Sequence, residues 1–232
     1  MSTITLYIVR HGQTMMNALD RVQGWCDSPL TKEGIEVARH LGYGFDEKGI
    51  HFRSAYCSDL RRTRQTAQII LGAKGEGDIP LAECAGFREA CFGSYESGAN
   101  ATMWKEAALY LQFTSSEAMY RAVMERRISS GDVLDAVKTL DTMDMAEGFS
   151  EVEARTQETL LEIAQAETLK GEGNILVVAH GMSILCLLYN LGGKALLNGH
   201  LENAAVCKVT YEDGRFTVHS MGDMSYLAAG CK

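Results

Sequence analysis

The chain has 232 residues, of which 46% are hydrophobic and 22% charged, and it carries a formal net charge of −8. This length suits one sizeable core or two small ones, and the composition is typical of a globular protein. The negative charge argues against bulk attraction to nucleic acid or to an anionic membrane, so we expect neither as a partner. An anionic substrate would therefore have to be held by a local cluster of cations.

The seven cysteines are scattered along the chain without a C-x-x-C pair. This pattern favours small buried side chains in a reducing compartment over a disulfide framework or a zinc site. The N-terminus has no signal-peptide pattern, and no apolar run is long enough to cross a bilayer. We therefore predict a cytoplasmic protein.

The first predicted element is a strand at residues 6–9, whose sequence LYIV is continuously apolar. Such a run is typical of a parallel strand that is buried on both faces. It stops at Arg10, His11 and Gly12, which place a cation, an imidazole and a turn at the carboxyl end of the strand. Ligands bind at that edge of open α/β sheets. A single stretch of this kind is more often an ordinary strand end, so a second one is needed.

The next segments alternate between helices and short strands. Thr31 is predicted to cap a helix that ends near Gly42 or Gly44. A strand at residues 55–57 precedes a helix at 60–71, and residues 81–82 are expected to form another short strand. Residues 87–95 are predicted to be irregular, because Gly86 and Gly93 mark bends.

Residues 98–148 interrupt this alternation with two predicted helices, at about 102–127 and 133–145. A helical block between the strands of a sheet domain is typical of an insertion, and we expect it to form a lid. We therefore predict a single domain over residues 1–232 with a helical insertion at about 98–148. Within it, Trp104, Tyr110 and Arg121 are candidates for selecting the substrate.

A helix at 150–170 leads to a second apolar strand at 175–179, which also ends in His-Gly, at His180 and Gly181. A helix at 182–191 follows, so backbone N–H groups and a positive dipole end lie just beyond His180. Strands at 205–211 and 216–219 are predicted to form a hairpin. Together these elements predict an α/β fold, a three-layer α/β/α sandwich with a mixed, mostly parallel sheet and an inserted helical lid.

If the two apolar strands are parallel neighbours, their histidines meet at one edge of the sheet. Arg10 and an arginine from residues 58–64 would complete a cationic pocket suited to a phosphoryl group. A metal site is the obvious competitor for two histidines. However, flanking arginines would repel a dication, and no carboxylate has metal-ligand spacing near either histidine. We therefore predict no metal and no cofactor.

Four segments, in this order, resemble the histidine phosphatase superfamily, which includes the cofactor-dependent phosphoglycerate mutases. They are VRHGQT at 9–14, SDLRRTRQT at 58–66, FRE at 87–89 with FG at 92–93, and VAHG at 178–181. RHG alone is a weak signal, whereas the ordered set is specific and spans most of the chain. The resemblance implies a phosphoglycerate mutase-like fold.

The resemblance also implies roles for individual residues. His11 corresponds to the nucleophile that accepts the phosphoryl group, with its other ring nitrogen held by the carbonyl of Gly12. Arg10, Arg62 and His180 would clamp the phosphoryl oxygens. Glu89 corresponds to the general acid that protonates the leaving oxygen and then activates water.

The family pattern S-x-L-x-R selects Arg62 over Arg61 and Arg64, which are expected to be solvated or helix-face charges. Asn17 matches a family position that reaches the phosphate. The predicted substrate-binding residues are Asn17, Gln23, Gly24 and Gly181.

We therefore predict a metal-independent phosphomonoester hydrolase that acts through a phosphohistidine on a small phosphorylated metabolite. The segment FGSYESG at 92–98 looks more like the phosphatase branch than the mutase branch. The first alternative is a phosphoglycerate mutase, which keeps the phosphoryl group on the enzyme. A phospho-ligand binding module without chemistry is less favoured, because such proteins usually lose the nucleophile or the acid. The sequence leaves the formation of homo-oligomers open.

Overall fold

The computed structural model describes residues 3–196 and 200–231. Within these ranges, six strands form one sheet in the order β3-β2-β4-β1-β5-β6. The strands are β1 (Ile4–Arg10), β2 (Phe52–Cys57), β3 (Leu81–Glu83), β4 (Gly173–Ala179), β5 (Val206–Glu212) and β6 (Arg215–Asp223). The first four are mutually parallel, whereas β5 and β6 form an antiparallel hairpin on the β1 side.

The helices of the described ranges are α1 (Met15–Ala18), α2 (Lys32–Glu47), α3 (Arg61–Ala73), α4 (Asn100–Tyr110), α5 (Ser116–Met124), α6 (Ser130–Leu140), α7 (Phe149–Thr168), α8 (Gly181–Leu188), α9 (Lys194–Leu196) and α10 (Ser225–Gly230). Two 3₁₀ turns, Ala85–Phe87 and Gly93–Tyr95, occupy the segment predicted to be irregular. A π-helical turn, Tyr189–Gly193, follows α8, so the α-helix ends three residues before the predicted 191. No described helix is long and apolar enough to span a membrane.

The central strands β1 and β4 are direct neighbours, as their continuously apolar sequences require. Arg10 pairs with Ala179 in the parallel register, so both strands end at the same level. On the other side of β4, Cys57 at the end of β2 pairs with Val178. The carboxyl ends of the three neighbouring strands β1, β4 and β2 therefore lie side by side, and the segments that follow them start at the same edge of the sheet.

Helices cover both faces of the sheet. Leu6 and Ile8 of β1 pack in a core with Leu160 of α7 and Leu187 of α8. The alternate residues of β1 face a second core, which includes side chains of α2, α3 and α10. Full burial of each large aliphatic side chain contributes about 1.5–3 kcal/mol. The predicted three-layer sandwich with a mixed sheet is confirmed.

Residues 98–148, the predicted insertion, contain the three helices α4, α5 and α6, and the prediction of one helix at 102–127 is wrong. The chain leaves α4 at Tyr110, and Gln112 adopts a left-handed backbone conformation with a φ of 64°. Ser115 then caps α5 by accepting a hydrogen bond from the N–H of Ala118. Backbone turns and caps of this kind end a helix even where apolar spacing continues across them.

The predicted helix at 133–145 is displaced toward the N-terminus. Ser129 and Asp132 form a capping box that starts α6 at Ser130, and α6 ends at Leu140. The carboxylate of Asp141 then accepts hydrogen bonds from the N–H groups of 143, 145 and 146. The three inserted helices share a third hydrophobic core, whose members include Met103, Met119 and Leu134. The action of these helices as a lid stays a prediction.

Candidate active site

His11 follows the end of β1 and is almost completely buried. Its Nδ1 lies 2.8 Å from the carbonyl oxygen of Gly12, which can only accept a hydrogen bond, so Nδ1 carries the proton. Burial lowers the pKa of His11 well below its ordinary value, and the charges of Arg62 and Arg10 lower it further. The imidazole is therefore neutral, and its lone pair lies on Nε2, where it accepts a long hydrogen bond from Nε of Arg62.

Arg62 is fully buried in the first turn of α3. Its Nε lies 3.3 Å from Nε2 of His11 and 3.1 Å from Nδ1 of His180. The two imidazole rings meet edge to face, with their centroids 5.2 Å apart. One guanidinium N–H thus connects the ends of β1 and β4.

The other nitrogens of Arg62 are held by the loop at residues 24–27. Nη2 donates to the carbonyl of Gly24 at 2.7 Å, whereas Nη1 donates to the carbonyl of Cys26 at 3.0 Å and to Oδ1 of Asp27 at 3.1 Å. The planar guanidinium is therefore fixed in orientation. By contrast, Arg61 is exposed, and Arg64 forms a half-exposed ion pair with Glu83.

His180 and Arg10 each present a buried nitrogen without a protein partner. Because Nδ1 of His180 accepts from Arg62, the proton of its neutral ring lies on Nε2, and Nε2 is buried and unpartnered. The pKa of His180 is lowered chiefly by burial and next by Arg62. Arg10 donates through Nη1 to the carbonyl of Leu201, whereas its Nε is unpartnered. Burial lowers the pKa of Arg10 as well.

Among the described residues, three buried side-chain polar atoms lack a partner, and two of them are these N–H groups. Buried donors are almost always satisfied in native proteins. These two donors, on Arg10 and His180, lie at the same site as the cation of Arg62. Together they indicate a binding site for an anion that would accept hydrogen bonds from them.

Glu89 is buried at the N-terminus of α8. Its Oε1 accepts from the N–H groups of Ala90 at 3.0 Å and Ser183 at 2.7 Å, and its Oε2 accepts from the N–H of Met182 at 3.0 Å. The backbone carbonyl of Glu89 is also held, by Nε1 of Trp25 at 3.0 Å and Nη2 of Arg155 at 2.9 Å. Both the carboxylate and the backbone carbonyl of Glu89 are therefore fixed, beside the helix for which His180 is the N-cap.

The predicted substrate-binding residues occupy different settings. Asn17 uses Oδ1 to accept from the N–H of Thr14, and its Nδ2 bonds to no residue of the described chain. The amide of Gln23 is buried and committed at both ends, to Thr14 and to Ser28. A contact between Gln23 and a substrate would therefore require these hydrogen bonds to break.

The two glycines of the predicted set lie against the arginines. Gly24 supplies the carbonyl that orients Arg62. Gly181 begins α8, where an added Cβ would lie 3.3 Å from Nε of Arg10. Its lack of a side chain leaves space around that unpartnered donor.

Sequence reasoning missed the residues that support this site from a distance. The carboxylate of Glu96 accepts from the N–H groups of residues 24, 25 and 26, and so holds the loop that orients Arg62. Asn203 donates to the carbonyl of His11 at 2.9 Å. Arg155 binds the carbonyls around Glu89. These contacts join residues far apart in sequence to backbone atoms, so they leave no local pattern.

The described surroundings of the two imidazoles differ from those of a metal centre. Within the part of the chain that the structure describes, no group of three or more His, Cys, Asp or Glu side chains is placed to hold a metal ion. The neighbours of the two imidazoles are arginines instead. The arrangement is suited to binding an anion and to nucleophilic attack by a neutral imidazole.

Comparison with known proteins agrees with this chemistry. A sequence profile of the histidine phosphatase superfamily (branch 1) matches residues 6–224. The probable phosphoglycerate mutase GpmB of Citrobacter koseri is 30% identical over 97% of this chain and 96% of its own. A broad-specificity phosphatase of Saccharomyces cerevisiae is 38% identical over 40% of each chain.

Among solved structures, the phosphoglycerate mutase from Bacillus anthracis superimposes with a TM-score of 0.92 and 35% identity, covering 100% of this chain and 98% of that one. Relatives thus include both phosphatases and mutases. The chain belongs to the histidine phosphatase superfamily (branch 1), with a phosphoglycerate mutase-like fold, and is an enzyme of phosphoryl transfer or hydrolysis.

Proposed function

We propose that the protein is a metal-independent phosphomonoester hydrolase that acts through a phosphohistidine at His11 on a small phosphorylated metabolite. One observation carries this proposal. A neutral His11 imidazole carries its lone pair on Nε2 beside the guanidinium of Arg62, at a site where His180 and Arg10 each hold an unpartnered buried donor. A phosphoryl group supplies the acceptors that these donors lack.

In the first step, Nε2 of His11 attacks phosphorus while the bond to the ester oxygen breaks. The carbonyl of Gly12 holds the Nδ1 proton and stabilises the cationic ring that forms. Arg10, Arg62 and His180 hold the non-bridging oxygens, where negative charge is concentrated during transfer. The electron pair of the broken bond goes to the leaving oxygen.

Glu89 supplies the proton for that oxygen. Its Oε1 accepts two N–H groups, whereas Oε2 accepts one, so Oε2 retains a lone pair that can carry the acid proton. In the second step, the resulting carboxylate removes a proton from water, which attacks the phosphohistidine. The P–N bond breaks, and inorganic phosphate and neutral His11 are released.

Metal independence rests on the cations that are already present. Arg10 and Arg62 supply the positive charge that a metal ion would otherwise bring to the phosphoryl oxygens. The overall charge of −8 is consistent with a small-molecule partner, rather than nucleic acid or a membrane surface. Seven cysteines, all unpaired in the structure, are consistent with a reducing cytoplasmic location.

A phosphoglycerate mutase is the second candidate, because relatives that align over nearly the whole chain carry that name. It would use the same phosphohistidine but return the phosphoryl group to a second hydroxyl rather than to water. The two reactions therefore differ in what reaches the phosphohistidine after the first step.

The test is release of inorganic phosphate, without added metal, from sugar phosphates, nucleotides, phosphoglycerates and an aryl phosphate. We expect release by the wild type and none by His11→Ala. Absence of release, together with interconversion of phosphoglycerates, would replace the hydrolase with the mutase.

A further inference from the structure

A cavity of about 1020 Å³ lies between the inserted helices α5 and α6 and one face of α8. We call it the α8 cavity. Its wall is largely apolar, with Met119 and Val123 of α5 opposite Met182 and Leu185 of α8. Of the three residues that the sequence suggested for selecting a substrate, Trp104 and Arg121 line it, and Tyr110 does not.

One residue, Met182, connects the cavity wall to the proposed general acid, Glu89. Met182 lines the α8 cavity, and its backbone N–H donates to Oε2 of Glu89. The general acid must face the leaving oxygen, because it protonates that atom. The group attached to the leaving oxygen therefore departs on the Glu89 side, and Met182, which contacts Glu89 there, belongs to the cavity wall.

The chemistry of the wall favours an apolar occupant. Tyr120 and Met124, which are 50% and 46% exposed, both lie on the cavity wall, where solvent contacts large hydrophobic side chains. Clustered exposed hydrophobic residues usually mark a binding surface, and methionines adapt to ligands of varied shape. The lining charges include both signs, Arg121, Arg126, Arg127 and Lys194 together with Glu117 and Asp132, so charge does not define the occupant.

The size of the cavity points in the same direction. Volumes of this order are typical of pockets that enclose drug-sized ligands. A three-carbon phosphorylated acid has almost no apolar surface to place against the methionines, and it would leave most of the space to water. The α8 cavity thus fits a much larger leaving group.

We propose that the preferred substrate is a phosphomonoester whose leaving alcohol carries a bulky apolar group, and that this group binds in the α8 cavity. The inference rests on the proposed hydrolase function, since it takes Glu89 as the acid. It narrows the substrate from small phosphorylated metabolites in general to those with an apolar chain or ring system.

The test compares ethyl, butyl and hexyl phosphate, whose leaving alcohols have nearly equal acidity. Each buried methylene is expected to raise kcat/KM about twofold to fourfold, so hexyl phosphate should exceed ethyl phosphate by at least about tenfold. The matching alkylphosphonates, which cannot be hydrolysed, provide binding constants by calorimetry that do not depend on turnover.

A pair of variants locates the effect. Met124→Ser removes an exposed methionine from the cavity wall, whereas Met143→Ser removes one that is 59% exposed and lies outside the lining. We expect Met124→Ser to reduce the hexyl-to-ethyl ratio of kcat/KM about threefold or more. Met143→Ser should leave that ratio, and the rate with ethyl phosphate, at the wild-type values.

The outcomes separate the two proposals. Phosphate release without a dependence on chain length overturns this inference alone, as does a ratio that responds equally to both variants. No release from any ester overturns the hydrolase. In that case the binding constants of the phosphonates still test whether the cavity binds apolar groups. Equal affinities for ethylphosphonate and hexylphosphonate would overturn this inference.

Discussion

Glu96 is predicted to be a positioning residue that acts through the loop at residues 24–27. Its Oε1 accepts from the N–H groups of Trp25 at 2.9 Å and Phe92 at 3.1 Å. Its Oε2 accepts from those of Gly24 and Cys26, both at 3.1 Å. The carbonyls of Gly24 and Cys26 in turn hold the guanidinium of Arg62.

The four contacts set the expected magnitude. A hydrogen bond to a charged group contributes about 1.5–3 kcal/mol, but water reaches this partly exposed loop and replaces part of that energy. We therefore expect Glu96→Ala to lower the free energy of unfolding by about 2–4 kcal/mol. Glu96→Gln should lose nearly as much, because its amide NH₂ would face two N–H donors.

Activity should fall as well, because Arg62 would no longer be fixed against the two imidazoles. A displacement of about 1 Å in such a group can cost about 100-fold in rate, so we expect kcat to fall at least tenfold, with a smaller change in KM. Urea unfolding and steady-state phosphate release would measure the two effects, with kinetics taken where circular dichroism shows the variant to be folded.

Glu36→Ala provides the control, since Glu36 is exposed and forms an ion pair with Arg39, one turn along α2. It should change stability by less than about 0.5 kcal/mol. If Glu96→Gln has the stability and kcat of the wild type, the loop holds Arg62 without the carboxylate, and Glu96 is not a positioning residue.

Three further predictions concern the site itself. Glu89→Gln should lower the rate of phosphate release about 10²–10⁴-fold, because the amide cannot donate and recover a proton. Gly12→Ala should destabilise the fold by about 1–3 kcal/mol in urea unfolding, because its Cβ would lie 2.5 Å from the carbonyl oxygen of Gly34. The wild type should lose stability when the pH is lowered from 7.5 to 5.5, and His180→Asn should lose less. The difference in the free energy of unfolding should grow by up to about 1.4 kcal/mol per pH unit, as measured by urea unfolding at both pH values.

The sign of the pH effect follows from the lowered pKa of His180. Below pH 6.5, the ordinary pKa, the unfolded chain takes up a proton that the folded chain refuses, so stability falls as the pH falls toward the folded-state value. Equal slopes for wild type and variant would contradict this account. For Glu89, a loss below tenfold would reject its role as the acid. For Gly12, the control is Gly72→Ala, where a Cβ meets no atom within 4 Å.

The sheet edge could be predicted from the sequence because its determinants are local. The apolar runs of β1 and β4 are buried on both faces. His180 follows β4 directly, and His11 follows Arg10, the last residue of β1. The choice of Arg62 among three arginines came from the family pattern, because helical spacing alone does not say which one is buried. In the structure Arg62 is fully buried, whereas Arg61 is exposed and Arg64 is only partly buried.

Other features depend on contacts that no local pattern reveals. The break between α4 and α5 results from the left-handed Gln112 and the Ser115 cap, which lie between two segments that both have apolar helical spacing. Glu96 binds backbone N–H groups about 70 residues earlier in the chain. Asn203 binds a backbone carbonyl about 190 residues earlier. The commitment of Gln23 to Thr14 and Ser28 also depends on how the loop folds back on itself.

The most direct test of the account is to trap the phosphorylated enzyme. The wild type would be mixed with a turned-over phosphomonoester, quenched in alkali, digested and mapped by mass spectrometry. The account predicts a phosphoryl group on His11 that survives alkali and is lost in acid, with none in His11→Ala. Turnover without this adduct, or an adduct on another residue, would contradict it.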